Sequence, residues 1–309
     1  MAGKQPTVIT KKQAKKQISH LGRSLVLYIA LFSVLQYGVE HIKQFQPEFF
    51  ENHDPDLIIL SMSIVLTLFF TFVPFNLSAK ALHLNIRDYL RKPKIHKEHY
   101  FVLCCAGIAL NLIVTSLSSL FYFFFHTQSG QYQFLGQFNT QANILRNIVY
   151  VIFFVLIKPV CDEYIFRGVI QRQLGHYGRY FGVLASAALY AIAQPNLVQA
   201  LPAFFVGWYL SLITLRYHSI LPAVNVHIVL ALFLWLVDIF PGNYIWILSI
   251  LIVIIYVMTG LFIFHGKLDT GMVRYGATEG RLWMILFTTP SMVVCAVLFA
   301  VNLWLSFTM

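Results

Sequence analysis

Lys158-Pro159-Val160-Cys161-Asp162-Glu163-Tyr164-Ile165-Phe166-Arg167-Gly168 closes an apolar run that begins at Ile148. It sets a lysine, two carboxylates and an arginine at the end of a segment otherwise suited to lipid. Ionised groups at a membrane edge are costly, so they are paired, functional or both. In a helix, Lys158 and Asp162 share one face and Glu163 and Arg167 share the next, because each pair is separated by four residues. Pro159 removes a backbone donor and predicts a kink beside the charges.

The rest of the chain has the same character. Of its 309 residues, 58% are hydrophobic and 11% are charged. Soluble domains carry about 25% charged residues. Long apolar runs then point to an all-α, polytopic transmembrane helix bundle. The net charge of +10 needs no nucleic acid to explain it, since membrane proteins gather basic residues on cytoplasmic loops. The four cysteines, Cys104, Cys105, Cys161 and Cys295, fall in apolar segments without metal-ligand spacing, and read as small buried hydrophobes. No metal or cofactor is indicated, because one intramembrane histidine and two carboxylates make a poor ligand set.

Working outward gives eight to nine spans, at about 24–39, 57–79, 100–125, 144–167, 181–194, 197–215, 219–237, 244–264 and 282–308. Residues 181–194 and 197–215 also suit a re-entrant pair. The basic lead, 1–23, is expected to be cytoplasmic, amphipathic and mobile. It precedes N-terminal helices and loops over 24–143, a core over 144–237 and C-terminal helices over 238–309. The uncharged loop 126–143 is long enough to cover the outer face. With the N-terminus inside the cell membrane, every one of the 22 Lys and Arg except Lys43, Arg146 and Lys158 falls on the cytoplasmic side, as the positive-inside rule requires. Arg146 and Asp162 lie about 24 Å apart along a helix, and His227 lies about 12 Å from the start of its span. The carboxylates and the histidine therefore reach similar depth in the cytoplasmic half.

Three motifs in this order resemble those of the CPBP family of CAAX proteases and bacteriocin-processing enzymes, also called the Abi family. The family's Glu-Glu-x-x-x-Arg is matched by Asp162-Glu163-Tyr164-Ile165-Phe166-Arg167, its Phe-x-x-x-His by Tyr190-Ala191-Ile192-Ala193-Gln194, and its His-x-x-x-Asn by His227-Ile228-Val229-Leu230-Ala231. The stretch from Phe205 to Leu210, with Leu215-Arg216 and Ser219-Ile220-Leu221-Pro222, is similar to the family's linker between the second and third motifs. The resemblance implies a helical bundle around a polar cavity and hydrolysis of a peptide bond by a carboxylate-activated water. The water-activating positions then fall on Asp162 and Gln194, and the oxyanion-stabilising positions on His227 and Ala231. Glu163 and Arg167 keep the family's residue types.

The departures bear on the chemistry. Asp162 draws the carboxylate back by one methylene, and a misplacement of about 1 Å costs roughly 10²-fold. Gln194 orients a water but takes no proton, a loss of about 10²–10⁴-fold. Ala231 offers no oxyanion donor, a loss of about 10²–10³-fold. Asn225, Gln171, Gln173 and His176 are nearby candidates to compensate. Three readings follow: an intramembrane endopeptidase acting on a membrane-linked or leader-type peptide, a catalytically inactive scaffold or regulator that binds a partner membrane protein, or a membrane protein that uses the same cavity to bind a small molecule or lipid. All imply contact with membrane lipid and none with nucleic acid.

Overall fold

The computed structural model describes residues 11–35, 55–125, 141–239 and 279–308. The expected span 244–264 and most of the loops 40–56, 126–143 and 265–281 lie outside the described residues. Within them the chain is helical and contains no strand. The helices are α1 (Lys11–Ser33), α2 (Pro55–Ala81), α3 (Lys97–Phe125), α4 (141–175), α5 (Arg179–Ile192), α6 (Leu197–Tyr217), α7 (Leu221–Ile239), α8 (Glu279–Thr288) and α9 (Pro290–Thr308). A short 3₁₀ turn, Ile86–Leu90, lies between α2 and α3.

By length and composition, four described helices can cross a membrane, at Leu57–Ala81, Lys97–Ser118, Ile144–Gly175 and Leu197–Tyr217. A fifth span arises if α8 and α9 are counted together. Of the eight to nine spans expected, the one at 244–264 lies outside the described residues and the one at 24–39 is described only to residue 35. α5 and the apolar part of α7 are shorter than a full crossing. The expected single span 282–308 is two helices bent by 70°. The break falls at Thr289, just before Pro290, as the missing proline N–H favours. Side chains such as Val65, Leu77, Phe101 and Trp304 point outward with more than half of their surface exposed, which suits lipid rather than water.

The basic lead differs from expectation. Helix α1 begins at Lys11, and Ala14, Ile18 and Leu21 are already buried in the core with Leu25, Tyr28 and Ile29. Their spacing of three and four residues makes one apolar stripe, and burial of that stripe fixes the segment in place. Gly22 allows α1 to approach α9, since a Cβ there would meet Ser291 Cβ at 2.7 Å.

Helix α4 carries the opening stretch. It is α-helical over Gln141–Tyr150, π-helical over Val151–Ile157, α-helical over Lys158–Glu163, π-helical over Tyr164–Gln171 and α-helical over Arg172–Gly175. Pro159 is therefore accommodated by a change of helical register rather than a break. The Lys158 N–H donates to Phe153 O, five residues back. Such π turns are uncommon and gather at functional sites. Helices α5 and α6 pack along one another, and α6 is capped by the Asn196 side chain, which accepts from Gln199 N at 2.9 Å. It ends at His218, whose φ of 48° is left-handed.

Candidate functional site

Asp162 and Glu163 are adjacent in sequence but belong to two different networks. Asp162 is 2% exposed. Lys158 Nζ lies 2.6 Å from each of its oxygens. The Tyr28 hydroxyl on α1 donates to Oδ1 at 2.6 Å, and the Tyr190 hydroxyl on α5 donates to Oδ2 at 3.3 Å. Lys158 Nζ also lies over the rings of Tyr28 and Phe32, at 5.7 and 5.0 Å from their centroids. A buried carboxylate needs such partners, because an unpaired ion is costly away from water.

Glu163 is fully buried and meets Arg167 and His227. Arg167 Nη1 is 3.0 Å from Oε1, near enough for a Coulomb contact but not aligned for a hydrogen bond. His227 Nδ1 on α7 reaches the same Oε1 at 2.9 Å. The second oxygen, Oε2, has no hydrogen-bond partner among the described residues. Arg167 is completed by Gly207 O on α6, to which Nη2 donates at 2.8 Å, and by the Tyr190 ring, 4.9 Å from its guanidinium carbon. Gly207 is required by this approach: a Cβ there would lie 3.0 Å from Tyr190 Cδ1 and 3.1 Å from Arg167 Nη2.

A cavity of about 280 Å³ opens beside these networks. His227, Tyr190, Gln194, Ala231 and Asn111 line it, with Asn196 and Gln199. Asp162, Glu163 and Arg167 are not among the described lining residues. The five singled-out residues are thus divided: His227 and Gln194 face the cavity, while the two carboxylates and the arginine sit behind Tyr190 and His227. Gln194 Nε2 donates to Tyr190 O at 3.1 Å, so one end of its amide serves the last turn of α5. Among the described residues, no three His, Cys, Asp or Glu side chains converge as metal ligands would.

The compensating candidates lie elsewhere. Gln171 Nε2 donates to Ser211 O at 2.8 Å, and Gln173 Nε2 to Gln17 Oε1 at 3.0 Å. Asn225 is exposed and His176 borders a different cavity. Sequence reasoning passed over Tyr28, the hydroxyl of Tyr190, and Asn111. Asn111 had a usable signal, a lone amide within an apolar span. Tyr190 sits four residues before Gln194, on the same helix face. Tyr28 had none, since nothing local ties it to residue 162.

Residues 144–233 match the family model described as Rce1-like, type II CAAX prenyl endopeptidase Rce1-like. The segment is a CAAX-protease (CPBP) family domain. No curated protein and no solved structure gives a significant match. The family domain holds all three motifs, both carboxylates and His227. Tyr28 on α1 and Asn111 on α3 lie outside it, so helices beyond the family domain complete both the Asp162 network and the cavity wall.

Proposed function

We propose that this chain is a membrane-embedded peptide-binding member of the CAAX-protease family in which carboxylate-driven hydrolysis is closed off. The observation that carries this reading is the state of Asp162. At the position of the family's water-activating carboxylate, both oxygens are taken by Lys158, Tyr28 and Tyr190, and the side chain is buried away from the cavity. Among the described lining residues, a water in the cavity meets no carboxylate to take its proton. Gln194 cannot accept one, and Ala231 supplies no donor to an oxyanion.

The cavity itself suits an extended peptide. Its lining mixes apolar side chains with amides and one imidazole, the composition of a site that orients backbone groups. The ligand on this reading is a membrane-linked or leader-type peptide, or a segment of a partner membrane protein.

One observation favours a second reading, an endopeptidase with altered chemistry. His227 lines the cavity while its Nδ1 is held by Glu163. A carboxylate that fixes one ring nitrogen steadies the imidazolium formed when the other nitrogen takes a proton from water. Asn111 then stands in the wall of the same cavity as an amide donor.

A photo-crosslinking residue at Leu234, on the cavity wall, separates binding from cutting. The binding reading expects crosslinks to intact peptide that disappear when Ala231→Trp fills the cavity. The endopeptidase reading expects cleaved peptide, with intact peptide accumulating in His227→Ala.

A further inference from the structure

We propose that a second cavity, formed where α4 and α6 end, binds a phosphate group carrying a hydroxyl. The cavity measures about 260 Å³ and is lined by Arg172, Arg179, His176 and His218, with Tyr89 and Gln171. No acid is among the described lining residues. Asp88 approaches one of these bases from outside the cavity, 3.8 Å from Arg172 Nη2. Arg179 forms no ion pair among the described residues and opens α5, whose N-terminus has no side-chain cap. A guanidinium and the positive end of a helix dipole thus act together at one wall.

The cavity is built rather than incidental. Tyr89 O accepts from Ile220 N at 3.0 Å and from Ser219 Oγ at 3.1 Å, which ties the short turn to the start of α7. Arg172 donates to Asn85 O and stacks its guanidinium 4.3 Å from the Tyr89 ring centroid. Gln171 is 6% exposed, and its Nε2 is spent on Ser211 O. Its Oε1 has no partner among the described residues. A buried, unused acceptor costs stability unless a ligand donates to it. A phosphate suits the bases, and a hydroxyl borne beside it matches the acceptor that Gln171, a lining residue, leaves unused.

Position indicates where such a group comes from. The candidate spans end at Gly175 and at Tyr217, so the cavity lies at the level of lipid headgroups. Basic pockets between transmembrane helices at that level take anionic headgroups. A phosphoglycerol headgroup and a free phosphate share the chemistry, and binding measurements distinguish them.

The test uses the full chain in detergent micelles, titrated with phosphatidylglycerol or chain-matched phosphatidylcholine and followed by native mass spectrometry. A separate titration uses inorganic phosphate. The double variant Arg179→Gln/His218→Asn removes a guanidinium and an imidazole at exposed positions and keeps a residue that tolerates the left-handed backbone at 218. Wild type is expected to prefer phosphatidylglycerol by about fivefold, the ratio that about 1 kcal/mol from a basic residue near the surface corresponds to. The double variant is expected to lose most of that preference. Saturable inorganic phosphate that excludes the lipid would support the site with free phosphate as its ligand. Equal binding of the two lipids with no uptake of phosphate would overturn the proposal. So would a lipid preference unchanged in the double variant.

Discussion

His227 Nδ1 lies 2.9 Å from Glu163 Oε1, the same oxygen that Arg167 Nη1 approaches at 3.0 Å. The histidine of the third motif is thereby joined to the second carboxylate of the first motif, not to Asp162. A buried carboxylate shared by an arginine and an imidazole holds α4, α6 and α7 together, with Gly207 O as the third anchor.

Replacing Glu163 by Gln leaves Arg167 buried without a counter-charge. Breaking one side of a buried pair costs about 3–5 kcal/mol, while apolar replacement of both partners costs far less. Glu163→Gln should therefore lower the unfolding midpoint and the cellular abundance sharply. Glu163→Gln combined with Arg167→Met should recover a large part of both, as thermal unfolding of the full chain in detergent would show. Additive losses in the double variant would argue against the pair.

Tyr28→Phe removes the 2.6 Å donor to Asp162 while keeping the ring beneath Lys158. A hydrogen bond to a charged group contributes about 1.5–3 kcal/mol. Tyr190→Phe removes a longer bond of 3.3 Å and should cost less. The ranking, with Tyr28→Phe the more harmful, is read from the same unfolding measurement.

Gly207→Ala inserts a methyl group between the Tyr190 ring and Arg167 Nη2. Overpacking a filled site costs about 1–3 kcal/mol. The variant should be destabilised by that order, and peptide crosslinking from Leu234 should fall with it, because Tyr190 also forms the cavity wall. Gly175→Ala, where a Cβ meets nothing within 4 Å, serves as the control and should be silent.

Ala231→Trp tests the cavity without removing a partner from either network. Ala231 lines the cavity and is only partly buried, so the larger side chain has space to occupy. Abundance should stay near wild type, and peptide crosslinking should fall by at least about tenfold, the loss expected when roughly 1.4 kcal/mol of binding is removed.

Much of this was legible in the sequence because the controlling interactions are local. Lys158–Asp162 and Glu163–Arg167 follow from four-residue spacing, and both pairs form. The motif order placed His227 near the carboxylates, and the match to the family model over 144–233 covers the same residues. What escaped depends on distant packing. Tyr28 reaches Asp162 from 134 residues away. Asn111 joins the cavity only because α3 packs against α6 and α7. The lead was expected to be amphipathic, and the stripe of Ala14, Ile18 and Leu21 makes it so from Lys11 on; what the sequence did not show is that this stripe packs into the core, where mobility was expected. The bend within the last expected span was not legible in the apolar pattern alone: Pro290 divides that run into two helices set at 70°.

The most direct test of the central claim is quantitative mapping of new peptide termini in cells. Three strains are compared: wild type, one lacking the protein, and one carrying His227→Ala. With Asp162 closed off by Lys158, Tyr28 and Tyr190, the three should share the same termini. Termini that require the wild-type chain and vanish in His227→Ala would contradict the account, and would establish Glu163–His227 as a working base.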